Sequence, residues 1–407
     1  MKTLFAWLLL LTVGSSLARA ESFQPLLLIS MDGFRHDYWQ RLQEEGSTLR
    51  RLRREGVSAA GLVGSFPTNT FPNHYTLVTG LRPGRHGIVN NDFFDPQREQ
   101  FFRSNQASCN RDGAWWGGEP IWITAVRQGQ KAACAFWVGS EAEIKGARPT
   151  FYKAYNYSIP FEERLDEVVG WLMRPAESRP TSVAFYFEEA NGAGHRFGPE
   201  SAETDAAIRK LDACLGQMLA RLNSVGIEPN IVLVSDHGMT PTNRERAVIV
   251  DSYLDLGATL VESDGSLLAL RPLKGSSESL LDRARKIPHG RAYTLETLPA
   301  HFHAQANPRF APVWVVAEEG WQLVLKATFE KHQVRFHERG YLQGDHGYDP
   351  ILPAMQGVFI AAGPAFKRGV NLPAVENIHV YNLLCAVLKL QPAPNDGDDR
   401  LIRAALR

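Results

Sequence analysis

Thiols are scarce in this sequence: Cys109, Cys134, Cys214 and Cys385 are the four cysteines among 407 residues, and no two of them form a C-x-x-C pair. That spacing excludes a thiolate zinc knuckle and a dithiol redox motif. Disulfide pairing stays open, since Cys214 and Cys385 lie in apolar helical patterns that suit buried thiols equally well. An excess of one charge is also lacking, with 44 basic residues against 44 acidic ones. A groove for a nucleic-acid polymer needs a basic face, so none is expected. Beyond residue 20 there is no apolar run of about 20 residues, so no transmembrane segment is expected there.

What is present begins with a charged start, Met1-Lys2-Thr3, a short apolar stretch from Leu4 to Val13, and Ala18-Arg19-Ala20. These read as a signal peptide over residues 1–20, which places the protein in the periplasm or outside the cell. No cysteine follows the cut, which argues against a lipid-anchored form. Loss of Lys2 and Arg19 would leave residues 21–407 at a net charge of about −2. The apolar fraction of 44% is ample for one large core.

Three apolar runs organise the remainder. Pro25 to Ser30 stops at Met31-Asp32-Gly33, Ser182 to Glu189 runs into Ala190-Asn191-Gly192-Ala193-Gly194-His195, and Asn230 to Ser235 ends at Asp236-His237-Gly238-Met239. Each reads as a strand buried on both faces, hence a central parallel strand, and ligands of open α/β sheets bind at the carboxyl edge. Amphipathic stretches at 40–55, 161–173, 200–225 and 375–388 read as covering helices. Shorter, mixed segments from about 255 to 340 read as a smaller α+β insertion, and a polar tail is expected beyond Asn395.

The stretch Gly64-Ser65-Phe66-Pro67-Thr68-Asn69-Thr70-Phe71-Pro72-Asn73-His74 predicts a helix start with Thr70 as N-cap and Pro72 in the first turn. A hydroxyl and unpaired backbone N–H groups would then face one volume, which suits a phosphate. Asn91 closes a Gly/Pro-punctuated loop; it can donate to a phosphoryl oxygen or simply shape the turn. Trp115, Trp116 and Trp122 read as core under a loop. Tyr155 is by default buried, though it could stack on a base. Asn191 and His195, four apart, would share one helix face, whereas Asp236 and His237 can share a site only if Gly238 lets the chain turn. Asp32, taken alone, reads as a helix cap.

Taken together, Asp32, Thr70, Asn191, His195, Asp236, His237 and His346 collect at strand ends and the turns after them. Histidine and carboxylate ligands without thiolates fit a catalytic Zn²⁺ pair better than a structural site. Such a pair would ionise the Thr70 hydroxyl and stabilise the oxygens of an in-line phosphoryl transfer.

These residues resemble the nucleotide pyrophosphatases/phosphodiesterases of the alkaline phosphatase superfamily, in a bacterial-type secreted form. The matching stretches are Met31-Asp32-Gly33-Phe34, Pro67 to His74, His86-Gly87-Ile88-Val89-Asn90-Asn91, Tyr155-Asn156, Gly194-His195, Ser235-Asp236-His237-Gly238-Met239 and His346-Gly347-Tyr348-Asp349. The resemblance implies a three-layer α/β/α sandwich with a mostly parallel central sheet. It also implies two Zn²⁺ per chain, one on Asp32, Thr70, Asp236 and His237, the other on position 191, His195 and His346. Thr70 would be the transiently esterified nucleophile, and Asn91 with the Phe71 backbone N–H would bind the phosphoryl oxygen. Phe71 and Tyr155 would form a slot for a nucleobase. The implied reaction cleaves phosphodiester or pyrophosphate bonds of a small-molecule nucleotide and releases a nucleoside 5′-monophosphate.

One position departs from the pattern: the family has an aspartate where this chain has Asn191. An amide oxygen can ligate but brings no charge. A nucleotide-binding pseudoenzyme is therefore a rival, beside a phosphodiesterase for lipid or choline head groups and a phosphomonoesterase that would use Arg82 or Arg85 for the extra phosphate charge. Oligomeric state is not legible in the sequence.

Overall fold

The computed structural model describes residues 23–304 and 307–407; the expected signal peptide lies outside them. The three apolar runs are neighbours at its centre. Leu26–Met31 pairs in parallel with Ser182–Phe187 on one side and Asn230–Val234 on the other, and every residue of the three strands is buried. Apolar side chains on both pleat faces leave such strands stable only between two helical layers.

The full sheet has eight strands, in the order Val370–Leu372, Val57–Ala59, Phe359–Ala362, Asn230–Val234, Leu26–Met31, Ser182–Phe187, Ala132–Ala135 and Phe151–Lys153. Phe359–Ala362 alone runs against its neighbours, so the sheet is mixed but mostly parallel. Helices Thr48–Glu55 and Phe161–Leu172 pack with the long Ala202–Ser224 helix as one layer. Thr70–Thr79, Ile121–Arg127 and Val380–Leu388 form the other. The result is a three-layer α/β/α sandwich. A separate antiparallel sheet joins Thr259–Ser263, Leu267–Pro272, Val313–Ala317 and Gly290–Thr294.

Several elements differ from the sequence expectation. The 40–55 helix splits into a 3-10 turn, Tyr38–Arg41, and an α-helix from Thr48. Ser47 caps the latter, and Asp212 of the long helix takes the Thr48 and Leu49 N–H groups at 3.1 and 2.7 Å, so the orphan donors of that helix end are met by a fixed tertiary partner. The 375–388 helix starts only at Val380, after a short strand at Val375–Glu376. The expected tail beyond Asn395 instead forms a helix, Arg400–Ala405. It buries Leu401 and Ala405, and its last carbonyl accepts from the Lys367 N–H at 2.9 Å. All four cysteines are buried and free. Trp115, Trp116 and Trp122 are core residues, 2%, 4% and 1% exposed. Among the described residues no helix is long and apolar enough to cross a membrane.

Candidate active site

The loop before Thr70 is fastened by Asn73. Its Oδ1 accepts from the Ser65 N–H at 2.7 Å and from Asn377 Nδ2 at 2.9 Å, while its Nδ2 faces the carbonyls of Pro67 and Asn69, both at 2.9 Å. Asn73 is fully buried. Asn73→Ala is expected to cost about 2–4 kcal/mol, because truncation strands buried backbone groups on both sides; urea unfolding measures it.

Thr70 opens the helix rather than capping it. Asn69 is the N-cap residue, and its side chain donates to Asn90 Oδ1 at 2.7 Å instead of serving the helix. The Phe71 N–H donates to Asn91 Oδ1 at 2.8 Å. That N–H is therefore engaged and not free for a phosphoryl oxygen; what Asn91 can present to the cavity is its amide N–H₂. Thr70 Oγ lies 3.3 Å from His237 Nε2, at the carboxyl edge of the central strands.

Two clusters of ligand-bearing side chains meet there. In the first, Asp32, Asp236 and His237 are all buried, and one ligand atom from each lies within 4.8 Å of the others. Asp236 Oδ2 and Asp32 Oδ1 stand 3.1 and 3.3 Å from His237 Nε2. The chain turn that lets Asp236 and His237 converge depends on Gly238, through close approach rather than a left-handed φ: a Cβ there would sit 2.1 Å from the Ala354 carbonyl oxygen. The second cluster joins His195, Asp345 and His346 within the same span. The His237 and His346 rings stack at 3.5 Å, so the two clusters are contiguous.

Asn191 shares the Glu189–Phe197 helix with His195, as their spacing implied. It borders the same cavity as Asp32 and Thr70. Gly33, at φ +66°, brings its backbone against Asn191, where a Cβ would lie 2.9 Å from the Asn191 Cα.

The residues fit metal ions. Among the described residues Asp32 Oδ1, Asp236 Oδ2 and Asn191 Oδ1 are buried without a hydrogen bond, a costly arrangement unless a cation takes them. Each histidine sets its Nδ1 on a backbone carbonyl: His195 on Gly344 at 2.8 Å, His237 on Gly238 at 2.8 Å and His346 on Thr68 at 3.1 Å. That fixes the tautomer and leaves Nε2 as the ligating atom. Burial keeps His195 neutral, its pKa down to about 4, and pushes His346 well below its usual value. Around His237, burial opposes the charge but the Asp236 carboxylate outweighs it and lifts the imidazole to about 9. Burial and the neighbouring Asp236 charge raise Asp32, while Asp236, though buried, is held well below the carboxylate range by His237 and His74. Two carboxylates facing one imidazole call for a positive charge between them, which a divalent cation can supply.

Three contributors were not legible. His74 sets Nδ1 2.9 Å from the Thr70 carbonyl and 3.2 Å from Asp236 Oδ2. Tyr186 donates its hydroxyl to Asp32 Oδ2 at 2.5 Å. Asp345 stands in the second cluster on the Nδ1 edge of His195, 4.0 Å away and turned from the Nε2 that would ligate, and only its place beside His346 could have marked it. Conversely, Arg82 and Arg85 are tied to Glu376 and Asp396, and neither borders the cavity beside Thr70.

That cavity, of about 500 Å³, is bordered by Asp32, Thr70, Phe71, Asn91, Tyr155 and Asn191. Tyr155 is 47% exposed, not buried, and its ring meets Tyr186 edge-on at 5.9 Å. Phe71 and Tyr155 both border this cavity, and aromatic walls of this kind can hold a planar group.

Comparison with known proteins agrees with this geometry. The family model "Type I phosphodiesterase / nucleotide pyrophosphatase" matches residues 26–349. The chain is 37% identical to a venom phosphodiesterase of Macrovipera lebetinus, over 96% of this chain and 46% of that protein. It is 35% identical to human ectonucleotide pyrophosphatase/phosphodiesterase family member 1, over 92% of this chain and 41% of that protein. It thus spans less than half the length of these two relatives. Murine ectonucleotide pyrophosphatase/phosphodiesterase 5 superposes with a TM-score of 0.87 at 32% identity, covering 94% of this chain and 100% of the other, which makes the fold alkaline phosphatase-like. That murine protein is also known as an inactive threonine-to-alanine variant in complex with AMP. These relatives are eukaryotic, so a bacterial type finds no support among them. On fold, sequence and family model alike, the chain belongs to the type I phosphodiesterase / nucleotide pyrophosphatase family.

Proposed function

We propose that this chain hydrolyses nucleotide phosphodiester and pyrophosphate bonds through a phospho-threonine at Thr70 and releases a nucleoside 5′-monophosphate. The observation that carries the reading is the Thr70 hydroxyl 3.3 Å from His237 Nε2, at the mouth of a ligand-rich cleft that continues into an aromatic slot. Two zinc ions are the proposed cofactors, one held by Asp32, Thr70, Asp236 and His237, the other by Asn191, His195 and His346. When bound, they supply the charge that favours the threonine alkoxide and steadies the phosphoryl oxygens. Asn91 directs its amide N–H₂ at a phosphoryl oxygen, and Phe71 and Tyr155 sandwich the base. Tyr186 holds Asp32 in place. The stretch from about 255 to 340 is proposed as a small insertion, and residues 1–20 as a cleaved signal peptide that sends the protein to the periplasm or outside the cell.

The test is turnover of the 4-nitrophenyl ester of thymidine 5′-monophosphate before and after chelation, with zinc restored. Activity lost to chelator and recovered with zinc supports the reading; activity indifferent to chelator overturns it. A parallel comparison of a dinucleotide, glycerophosphocholine and a simple monoester separates nucleotide, lipid and monoester chemistry. Tyr155→Ala is expected to raise KM for the dinucleotide about tenfold with a smaller change in kcat, since a stacked base is worth roughly 1–3 kcal/mol. An unchanged KM would remove Tyr155 from the slot.

A further inference from the structure

A second cavity, of about 420 Å³, meets the first at Asn91 and Ser104. It borders His346 and Asp345 of the second cluster and the turn of the hairpin between Thr259–Ser263 and Leu267–Pro272. Thr70 lies against the first cluster and borders the first cavity but not the second, whereas Asn91 borders both. A phosphodiester held at Asn91 with its nucleoside in the aromatic slot has one substituent left, and in-line attack expels that group away from Thr70. The second cavity, which Thr70 does not border, adjoins the phosphoryl position at Asn91.

Its lining is acidic and only partly neutralised. Arg103 pairs with Asp92 at 3.3 Å and Arg271 with Glu262 at 2.6 Å. Asp264 accepts from the Leu325 N–H at 2.8 Å, and Asp345 accepts from the Gln322 amide at 2.7 Å. Neither forms a salt bridge with an arginine or lysine among the described residues; the positive charges that act on them from farther off are Lys331 on Asp264 and His237 on Asp345. Among the described residues no lysine borders the cavity. Asn90, 1% exposed and also bordering it, uses its Oδ1 for Asn69 Nδ2 and the Asn91 N–H, and leaves a buried Nδ2 with no partner among the described residues. An unmet amide donor in a cavity that also carries carboxylate acceptors matches the two faces of a hydroxyl group, as carboxylates match ribose hydroxyls elsewhere. The same carboxylates repel a polyphosphate.

We infer that this second cavity receives the leaving group and selects an uncharged, hydroxyl-bearing one, such as a nucleoside, over a polyphosphate. The inference rests on the phosphodiesterase reading above. In the step concerned, the Thr70 Oγ–P bond forms as the bond from phosphorus to the departing oxygen breaks, and the proton lost by Thr70 ends on that oxygen as an alcohol. Water then gives its hydroxyl to phosphorus and a proton back to Thr70.

The experiment compares kcat/KM of the zinc-loaded full chain for adenylyl-3′,5′-adenosine, which expels adenosine, and for ATP, which expels pyrophosphate. The wild type is expected to favour the dinucleoside about tenfold or more. Asp264→Asn, which keeps an acceptor for the Leu325 N–H, and Ser263→Lys, which adds a cation to the lining, are each expected to move the ratio about tenfold toward ATP; thermal melts confirm that both fold. ATP preferred by the wild type, or a ratio unmoved by both substitutions, overturns the assignment of the cavity. Failure of the wild type to turn over the nitrophenyl ester brings down the underlying reading instead, so the two failures are told apart.

Discussion

Thr70→Ala is expected to lower turnover of the nitrophenyl diester by about 10³-fold or more while leaving the fold intact. The loss is large because nothing nearby can replace the hydroxyl. Ser104, which also borders the cavity, has its Oγ on Asp92 at 3.3 Å. The Ser235 Oγ donates to the His237 carbonyl at 2.7 Å, and the Ser30 Oγ lies 2.8 Å from His74 Nε2. Each of these hydroxyls already serves a structural bond, so attack would fall to water without covalent catalysis. The fold should persist because Thr70 is the first helical residue and alanine has the higher helix propensity. A melting curve that overlays the wild type, together with lost turnover, is the expected pair of results. Thr70→Ser should keep activity within about tenfold, since it retains the nucleophile. Near-full activity in the alanine variant would remove the phospho-threonine from the mechanism. Metal count per chain, measured alongside, shows whether the hydroxyl also matters for holding the first ion.

What could be read without coordinates was the chemistry that repeats a simple rule: an apolar strand interrupted by a carboxylate or imidazole at its carboxyl end. Asp32, Asp236 and His237 obey it, and His195 follows from helical spacing after the second strand. Direction within the sheet could not be read, because Phe359–Ala362 is buried on both faces and such a run looks the same parallel or antiparallel. The sequence reads Thr70 as the N-cap, but Asn69 holds that position through its extended backbone, its side chain being taken by Asn90 instead of capping. Tyr155 was expected in the core by residue type, yet it stands half-exposed where the cavity needs an aromatic wall. The terminal helix is not legible because only two of its six residues, Leu401 and Ala405, are buried, too few to raise a periodic signal. Asp345 was hidden by its neighbour: beside a histidine with an obvious role, a carboxylate in a glycine-bracketed loop passes for turn chemistry.

Asn191→Asp is expected to tighten the second metal site by about 10- to 100-fold and to raise turnover wherever zinc is limiting. The substitution is isosteric, so the close contact between Gly33 and Asn191 is undisturbed. The atom concerned is already placed, since Asn191 Oδ1 is buried without a hydrogen bond. What changes is charge. With asparagine, Asp345 is the carboxylate of the second cluster, with Oδ2 engaged by Gln322 and Oδ1 4.0 Å from His195 Nδ1, on the edge of the ring turned away from Nε2. The first cluster has two carboxylates, Asp32 and Asp236. A cation shared between unequal sites should fill the first before the second, and added negative charge at position 191 closes the gap. Zinc per chain after dialysis against graded chelator reads this directly, with turnover as a second measure. The wild type should lose one zinc well before the other, and the aspartate variant should lose both over a narrower range. Two zinc ions held alike by the wild type, with turnover unaffected by the substitution, would show that the amide oxygen suffices and would reject the pseudoenzyme reading. One retained zinc and no turnover until Asp replaces Asn191 would instead establish that this single side chain separates a nucleotide-binding protein from a phosphodiesterase.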